Sequence, residues 1–429
     1  MMNARAKVVQ AEKGIARVFG RLKVIDGITL ACALLLAGLG VLTIFSIMGA
    51  FLYNARLEDA TVHVIRSLTG VIFGIIAMLV IVMIPFKFMK TTVGFFSIFV
   101  TVGLLLLTLI MGHGTVESPD VNRWMTLAGI TFQPAEFARA SMILSLAWLI
   151  QVLVHNKKYY TKKLWAPYLL AGGYAVLCGF LVLVQPDLGS GIVMLGIGFT
   201  MFLSSGLHRR QISSLLGIGA GLGFLAMVGF LTLDAIGLQA YQMERIQVWR
   251  DPFNHERGLQ TVMGYVSIAL GGPFGAGLGR SMQRLGFAIE PHTDLIITIL
   301  AEELGLIAVI GVMILYFIIA LRCFLTSLKA RDVYSALVCI GVGSFFLIQP
   351  LVNLGGVGGL IPLSGVTLPL MSYGMTSAIA SFIMLGIYFN VRINILEQAK
   401  LDKLSAKEQA PKPEEKSKII PFNNGKAEV

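Results

Sequence analysis

Acidic side chains occur at the start of and within an apolar segment that is long enough to cross a membrane. The stretch EPHTDLIITILAEELG, residues 290–305, carries Asp294 at the mouth of the segment and Glu302 and Glu303 inside it. A charged side chain within a bilayer costs several kcal/mol, so such acids indicate either a functional site or a paired structural group. An acid at a helix N-terminus is also favoured by the helix macrodipole. Asp294 is therefore either a reactive carboxylate or a helix-terminal acid.

Glu302 follows Asp294 by eight residues, which places it about 12 Å further along a helix and about 80° around its axis. Both acids can therefore face one cavity, whereas Glu303 points to the opposite side of the helix. We expect Glu302 to be a buried acid that pairs with a neighbouring helix and supports the site without reacting.

A second group of polar side chains lies in VNRWMTLAGITFQPAEFARAS, residues 121–141. Its proline suits the first turn of a helix, and Glu136 and Arg139 then share one helix face. The guanidinium groups of Arg123 and Arg139 offer fork-shaped donors that suit phosphate or pyrophosphate. Trp124 fits an aromatic belt at the membrane interface as well as it fits a binding site.

Three further segments rich in Gly or Pro break the apolar pattern. In QPDLGSG, residues 185–191, Asp187 either caps a helix or orients an arginine across a cleft. In LGGPFGAGLGRSMQRLGF the glycines indicate close backbone packing, because no strand precedes them as a nucleotide-binding loop requires. Arg280 and Arg284 in this segment suit anionic headgroups. The stretch IPLSGVTLPLMSYGMTS, residues 361–377, predicts broken helix that lines a cavity or is buried in protein.

Membrane-spanning helices are the elements that must position these residues. The 429 residues are 56% hydrophobic and 13% charged, with a mean hydropathy of +0.80, and a soluble domain needs more polar surface than this. The net charge of +11 then indicates topology and no nucleic-acid partner. No zinc-binding spacing occurs, and the four cysteines are expected to be small core side chains.

Apolar runs predict about ten spans, near residues 26–53, 64–86, 92–112, 135–154, 166–184, 188–205, 214–233, 294–320, 334–360 and 374–393.

Basic residues fix the predicted orientation. They follow every second span, and residues 1–25 form a basic segment, so both termini are expected in the cytoplasm. The predicted fold class is an all-α polytopic integral membrane protein, with a large folded extracytoplasmic loop at 234–293 between helices 7 and 8. The membrane domain is predicted at 26–396. Residues 397–429 are charged and contain prolines, which predicts a disordered cytoplasmic tail.

Six stretches, taken in order, resemble the SEDS family of shape, elongation, division and sporulation proteins, which includes FtsW and RodA. They are RWMTLAGITFQPAEFAR, QPDLGSG, YQMERIQVWRDPF, SIALGGPFGAGLGRSMQRLGF, EPHTDLIITILAEELG and LPLMSYGMTS. The resemblance implies a multi-pass protein of a bacterial plasma (inner) membrane that polymerises lipid II, the undecaprenyl-pyrophosphate-linked disaccharide peptide, on the outer leaflet. It also implies a class B penicillin-binding protein and other divisome or elongasome proteins as partners. The extended cytoplasmic ends favour a division-type member.

By this resemblance Asp294 matches the essential aspartate of the family, and Arg123, Trp124, Glu136 and Arg139 match its conserved cleft. We expect Asp294 to be catalytic and Gln185 and Glu302 to be supporting residues. The expected substrate-binding residues are Arg123, Trp124, Glu136, Arg139, Asp187, Arg280, Arg284, His292 and Ser372.

The chain departs from the family pattern at several of these positions. The family usually has Lys where Arg139 and Arg284 stand, Glu where Gln185 stands and a second Gly where Met375 stands. Arginine in place of lysine keeps the charge and alters the donor geometry. Gln185 lacks the charge of the acid usual in the family.

A lipid pyrophosphate is a good leaving group and needs no proton, unlike the leaving group of a glycoside hydrolase, which uses a carboxylate pair. Such a transfer needs one base for the acceptor hydroxyl and cations for the departing phosphates. We expect Asp294 to deprotonate the 4-hydroxyl of the acceptor sugar, which attacks C1 of the donor with inversion. Arg123 and Arg139, with Arg284 or a divalent cation such as Mg²⁺ or Mn²⁺, are expected to hold the pyrophosphate.

Two other classes of function are compatible with many spans and intramembrane acids: a lipid II flippase and a non-catalytic scaffold for division proteins. Transporters usually bind substrate near the midplane on discontinuous helices, whereas the polar groups here cluster towards one face. A scaffold leaves the concentration of outward arginine and aspartate unexplained.

Overall fold

The computed structural model describes residues 20–22, 24–53, 57–114, 122–127, 129–154, 166–185, 187–206, 240–255, 258–281 and 294–409. The predicted span at 214–233 and the substrate-binding candidates Arg284 and His292 lie outside these residues. Most of the predicted 234–293 loop is described, at residues 240–255 and 258–281, and it contains two helices. The predicted N-terminal segment lies largely outside the described residues, as do residues 410–429 of the predicted disordered tail, whereas residues 397–409 of that tail are helical.

Helices form most of the described chain. In chain order they are α1 (Gly27–Tyr53), α2 (Leu57–Met83), α3 (Gly94–Met111), α4 (Pro134–Leu149), α5 (Ala166–Val184), α6 (Leu188–Leu203), α7 (Ala240–Arg250), α8 (Leu259–Gly271), α9 (Ile296–Ser327), α10 (Val333–Val357) and α11 (Met375–Gln409). A helical turn, Phe86–Phe88, and a π-helical turn, Met89–Val93, lead into α3. A second π-helical turn, Ile150–Val154, continues α4.

Seven of the described helical segments are long and apolar enough to cross a membrane. They correspond to α1, α2, α3, α4, α9, α10 and α11, each of which overlaps a predicted span. The predicted spans at 166–184 and 188–205 form the shorter apolar helices α5 and α6. The chain is thus a mostly helical, multi-pass protein. The total number of spans and the cytoplasmic position of both termini stay predictions.

A short β-hairpin connects the α3 region to α4. Strands β1 (Met125–Leu127) and β2 (Ile130–Phe132) pair in antiparallel register, with Met125 opposite Phe132. Gly129 in the turn has a φ of +80°, as tight hairpin turns require. The predicted all-α fold omitted this hairpin, because strands of three residues are too short for an alternating pattern to be recognised.

Helix α10 lies at the centre of the bundle and packs against α4, α6, α9 and α11. Its aromatic residues Phe345 and Phe346 are fully buried. Gly341 allows close approach, since a Cβ there would lie 2.7 Å from Ile143 of α4 and 2.8 Å from Met201 of α6. The polar residues of α10 therefore face other helices and not lipid.

Charged pairs close one end of the bundle, which we call the Asp26 end. Asp26 accepts hydrogen bonds from Arg322 at 2.7 and 2.8 Å and lies 3.7 Å from Arg392, and Lys90 donates to Asp332 at 3.0 Å. Burial raises the pKa of the Asp26 carboxyl. The Arg322 hydrogen bonds and the Arg392 charge together lower it by more than burial raises it, so the pKa is below its ordinary value. The Asp26 pairs tie α9 and α11 to the start of α1, and the Lys90 pair ties the π-helical turn before α3 to the start of α10.

Exposed apolar side chains show which part of α9 faces lipid. At least 40% of each side chain is exposed at Leu306, Ile307, Ile310, Ile314, Phe317, Leu321 and Leu325. This stretch covers about 28 Å at 1.5 Å per residue, close to the ~30 Å of a bilayer core. Glu302 and Glu303 precede it on a buried segment, so both acids lie beside the lipid-facing stretch and are shielded by protein.

Helix α9 is interrupted at Gly305, where φ is +82° and ψ is 173°. The N–H of Leu306 donates to the Gly272 carbonyl at 2.9 Å, and the N–H of Ala276 donates to the Glu302 carbonyl at 2.8 Å. The glycine-rich turn after α8, residues 272–281, thus enters the break and replaces hydrogen bonds that the helix lacks there. This turn provides the close backbone packing that its glycines indicate, at a residue conformation that glycine tolerates best.

Replacing Gly305 with Ala is expected to lower stability by about 2 kcal/mol or more. A backbone with φ of +82° and ψ of 173° is essentially restricted to glycine and costs another residue about 1–3 kcal/mol, and the added Cβ would lie 2.3 Å from the Pro273 carbonyl oxygen. Thermal unfolding of the detergent-solubilised protein measures the loss. Gly311→Ala is the matched control on the same helix, because nothing lies within 4 Å of its Cβ position. Equal unfolding temperatures for the two variants would contradict the assigned break.

Candidate functional site

Asp294 lies two residues before α9 and is 8% exposed. Its backbone carbonyl accepts a hydrogen bond at 2.8 Å from Nδ2 of Asn353, a buried residue of α10. The same nitrogen donates to the carbonyl of Val366 at 2.7 Å. Val366 belongs to residues 358–374, which we call the α10–α11 loop. One buried amide therefore holds Asp294 against this loop.

Two guanidinium groups converge on Gly365 in the α10–α11 loop. Gly365 has a φ of +66°, and a Cβ added there would lie 3.2 Å from Nη1 of Arg123 and 3.3 Å from Nη1 of Arg245. These lengths bound the separation of the two nitrogens at 6.5 Å. Because Gly365 directly precedes Val366, the two arginines lie on the part of the loop that is joined to Asp294.

Helix α7 contributes two of the contacts that hold the α10–α11 loop. Arg245 donates to the Leu363 carbonyl at 2.6 Å, and Nε1 of Trp249 donates to the Gly359 carbonyl at 2.8 Å. Sequence reasoning quoted the stretch that contains both residues, YQMERIQVWRDPF, and did not select either as a site residue. The spacing of Arg245 and Trp249, four residues apart on one helix face, was the available signal.

The β-hairpin region presents Arg123 and Trp124. The backbone of Trp124 pairs with His113, with its carbonyl accepting at 2.8 Å and its N–H donating at 3.2 Å. The His113 ring lies 2.8 Å from the hydroxyl of Thr126 on β1. The end of α3 and the hairpin together therefore fix the backbone from which Arg123 extends towards Gly365.

A second polar group lies one turn along α10 from Asn353, and we call it the α4 polar cluster. Arg139 donates from Nη2 to Glu136 at 3.1 Å and to Ser190 at 3.2 Å, and from Nη1 to Gln349. Arg139 is 1% exposed and Glu136 is 2% exposed. Their charges are thus paired inside the bundle, where the Arg139 fork is occupied by protein acceptors. The cluster comprises Gln133, Glu136, Arg139, Asp187, Ser190, Gln349 and Thr367.

Asp187 caps α6 and connects it to α4. Its carboxylate accepts from the N–H of Ser190 at 3.0 Å and from Nε2 of Gln133 at 2.9 Å. The preceding Gln185 donates from Nε2 to the Leu105 carbonyl of α3 at 2.9 Å. An amide can donate this bond and an ionised carboxylate cannot, which gives Gln185 a structural reason to differ from the acid usual in the family.

Glu302 and Glu303 hold the glycine-rich turn in the α9 break. Glu302 accepts from the hydroxyls of Ser267 at 2.9 Å and Ser281 at 2.6 Å. Glu303 accepts from the hydroxyl of Ser46 on α1 at 2.6 Å, and also from the backbone N–H of Gly279. The two acids thus connect α9 to three other parts of the chain.

The two remaining described candidates are Arg280, on the glycine-rich turn, and Ser372, in the α10–α11 loop. Arg280 is exposed on the glycine-rich turn. The buried hydroxyl of Ser372 accepts from the N–H of Leu368 at 2.8 Å, closing a turn in which Leu370 has a φ of +67°. Ser372 therefore contributes to the shape of the α10–α11 loop.

The structure divides the predicted site into parts. Asp294 is joined to the α10–α11 loop through Asn353, and Arg123 lies beside Gly365 of the same loop. Glu136, Arg139 and Asp187 belong to the α4 polar cluster. Sequence reasoning missed Gln349 and Asn353, which link the two parts, although two amides four residues apart in an apolar helix were a visible signal. Within the described ranges, no group of three His, Cys, Asp or Glu side chains is arranged to hold a metal ion.

Comparisons with known proteins agree on one family. The FtsW/RodA/SpoVE family, described as cell cycle protein, matches residues 27–395. The probable peptidoglycan glycosyltransferase FtsW of Bacillus subtilis is 31% identical over 383 residues, which cover 86% of this chain and 91% of the relative. Stage V sporulation protein E of the same organism is 30% identical over 373 residues, which cover 85% of this chain and 96% of the relative.

A solved structure has the same fold. It is a chain of a peptidoglycan synthase complex that coordinates polymerization and crosslinking, with a TM-score of 0.67, 24% identity and coverage of 86% of this chain and 98% of that chain. The chain therefore belongs to the FtsW/RodA/SpoVE family and is a multi-pass protein of the bacterial inner membrane.

Proposed function

We propose that this chain is a peptidoglycan glycosyltransferase that polymerises lipid II into glycan strands at the outer leaflet, with Asp294 as general base. The enzyme class is that of its FtsW relatives. The observation that carries the proposal for the site is the shared amide of Asn353, which joins Asp294 to the loop on which Arg123 and Arg245 converge. A base and a pair of cations at one loop are the groups that transfer from a lipid diphosphate requires.

The dimensions of the site suit this reaction. The two bonds of Asn353 add to 5.5 Å, which bounds the distance between the carbonyl oxygens of Asp294 and Val366. Gly365 lies one residue, about 4 Å, further along the loop. In the proposed arrangement, the acceptor hydroxyl, the sugar C1 and the leaving diphosphate lie in sequence between the Asp294 carboxylate and the arginines.

In the proposed step, the Asp294 carboxylate takes the proton of the acceptor 4-hydroxyl as the oxygen attacks C1 of the donor sugar. The C1–oxygen bond to the diphosphate breaks with inversion, and the bond electrons leave with the diphosphate. The α4 polar cluster holds α4, α6 and α10 in place without touching substrate. Arg139 is then a positioning residue, because its guanidinium is engaged by Glu136, Ser190 and Gln349.

The proposed position of the site on the outer side follows from the charges at the other end. The Asp26 end carries Lys90, Arg322 and Arg392, and basic residues mark the cytoplasmic face. We also propose a class B penicillin-binding protein as partner, because the structurally similar chain belongs to a peptidoglycan synthase complex.

Reconstitution into proteoliposomes with fluorescent lipid II tests the proposed function. The parent protein is assayed in two samples, with and without its proposed penicillin-binding partner, and we expect it to form glycan polymer. We expect no polymer from Asp294→Ala. A second sample with quencher outside the vesicles follows movement of the headgroup across the bilayer. Translocation without polymer would support a flippase and contradict the proposal.

A further inference from the structure

We infer that a groove between α2, α3, α4 and α11 binds one acyl chain of an anionic glycerophospholipid, and we call it the acyl groove. It begins at the Asp26 end of the bundle, which faces the cytoplasm in the predicted orientation, so its lipid comes from the cytoplasmic leaflet. The groove shares no residue with Asp294, the α10–α11 loop or the α4 polar cluster. The inference is therefore independent of the proposed function.

The acyl groove is a cavity of the size and chemistry that a hydrocarbon chain needs. Its volume is about 380 Å³, within the range of about 300–1,000 Å³ that is usual for ligand pockets. Its surface is almost entirely apolar, with the buried side chains of Ala140 and Leu144 on its floor. The hydroxyls of Ser97 and Ser141 also line it, but they donate to the carbonyls of Gly94 and Ser97 at 2.8 and 2.9 Å. Such a lining suits hydrocarbon and offers little to water.

The length of the acyl groove matches one leaflet of a bilayer. The groove follows the chain from Phe88 to Val100, which covers about 18 Å at 1.5 Å per residue. Half of a ~30 Å hydrocarbon core is about 15 Å. Phe88 lies directly before the π-helical turn whose Lys90 pairs with Asp332 at the Asp26 end. The groove therefore extends from that end towards the middle of the membrane, as an acyl chain of the same leaflet does.

The acyl groove is open towards lipid. Phe88, Phe96 and Val100 line it, and at least half of each side chain is exposed, on a segment long and apolar enough to cross a membrane. An acyl chain is thus the molecule that reaches the groove, and an unfilled cavity forfeits the dispersion contacts of its lining. Ile81 of α2 and Ile383 of α11 line the groove as well. A chain placed there contacts four helices, and packing contacts of this kind drive association within a bilayer.

A lysine beside the acyl groove favours an anionic headgroup. Lys87 directly precedes a residue that lines the groove and is exposed, and within the described residues its side chain makes no hydrogen bond or ion pair. Arg21, at the same end, donates to the carbonyls of Val82 and Ile84 at 3.3 Å each. Its charge is partly compensated by Glu397, 3.8 Å away. The long side chain of Lys87 can place its ammonium group at the level of the headgroups, where it attracts anionic lipid.

Counting bound lipid tests the acyl groove without requiring catalysis. Phosphatidylglycerol or phosphatidylcholine is added to the purified full chain in detergent, and native mass spectrometry gives a dissociation constant for each bound lipid. Ala140→Phe is expected to weaken the tightest phosphatidylglycerol site by about tenfold or more, because the ring takes the volume and the contacts of several methylene groups. Val100→Trp at the rim is expected to weaken it as well, and because Val100 is half exposed this variant does not overpack the interior.

Matched controls separate the acyl groove from the general lipid-facing surface. Leu107 lies on the same helix as Val100, is 45% exposed and does not line the groove. Leu107→Trp should therefore leave the tightest site within about twofold of the parent. Lys87→Gln is expected to reduce the preference for phosphatidylglycerol over phosphatidylcholine about fivefold. Lys329→Gln removes an exposed lysine just beyond α9 and should keep the parental preference.

Equal phosphatidylglycerol binding by the parent, Ala140→Phe and Val100→Trp would overturn the acyl groove, by showing general surface lipid only. Undecaprenyl phosphate is the third probe, and tighter binding of this probe than of phosphatidylglycerol would show a polyprenyl site and contradict the inference. Loss of the bound lipid from a purified complex with the penicillin-binding partner would assign the groove to a helix of that partner, with the same consequence. Polymer formation enters none of these measurements, so failure of the proposed function would leave the groove to be decided by lipid binding.

Discussion

Replacing Asp294 with Asn is expected to reduce the rate of lipid II polymerisation by about 10²–10⁴-fold, the usual contribution of a general base. Asparagine keeps the size of the side chain, and the hydrogen bond from Asn353 is made to the backbone carbonyl of residue 294, so the local structure should be retained. The variant lacks only the group that accepts the proton. Single-turnover measurement with labelled lipid II and gel analysis of the product gives the rate.

A control variant makes this prediction specific. Asp251→Asn is suitable, because Asp251 is exposed beyond α7 and accepts hydrogen bonds from Asn254; its rate should equal that of the parent. A variant that polymerises at the parental rate would exclude Asp294 as the base.

The positions of the spanning helices followed from the sequence, because burial in lipid requires long apolar runs whatever the tertiary arrangement. Helices α9 and α10 illustrate this, since each predicted span begins within two residues of the first residue of the observed helix. The break at Gly305 did not follow from the sequence. Its replacement hydrogen bonds come from residues 272–281, and only the folded chain brings that turn to α9.

The same physical limit applies to the candidate site. Asp294 and Arg123 were predictable as polar residues near one end of the bundle. The convergence of Arg123 and Arg245 on Gly365 joins three segments that are far apart in sequence, and no local pattern encodes it. Burial likewise adds information on roles: the sequence predicts Arg139 as a phosphate ligand, and in the structure its buried guanidinium donates to Glu136, Ser190 and Gln349.

The first part of α9 both accommodates the buried acids Glu302 and Glu303 and supports Asp294. A charge at the bilayer centre is costly, but Glu302 and Glu303 precede the lipid-facing stretch and accept hydrogen bonds from Ser267, Ser281 and Ser46. The free-energy cost of burying these two charges is reduced by their position before the lipid-facing stretch and by the hydrogen bonds that their carboxylates accept. The segment from Ile296 to Glu303 is buried throughout, and it anchors the backbone that carries Asp294.

Removing the Arg139 guanidinium is the second change with a large expected effect. Arg139→Met leaves Glu136 as an unpaired charge that is 2% exposed, and breaking a buried pair in this way costs about 3–5 kcal/mol. The Oε1 atom of Gln349 also loses its donor, and Gln349 lies one turn from Asn353 on α10. We therefore expect a lower unfolding temperature together with slower polymerisation, because the amide that holds Asp294 and Val366 shifts with its helix.

Thermal unfolding and polymerisation rate, measured on a matched series of variants, separate charge from packing. Glu136→Gln combined with Arg139→Met removes both charges and should recover much of the stability lost in Arg139→Met, since neutral groups of similar size leave no buried ion. Arg139→Lys keeps the ion pair and loses the fork, so its stability should lie closer to that of the parent. If Arg139→Met unfolded at the parental temperature, the pairing inside the α4 polar cluster would carry little energy, and the positioning role of Arg139 would be wrong. If Arg139→Met were stable and instead lost pyrophosphate binding, Arg139 would be a ligand of the diphosphate after all.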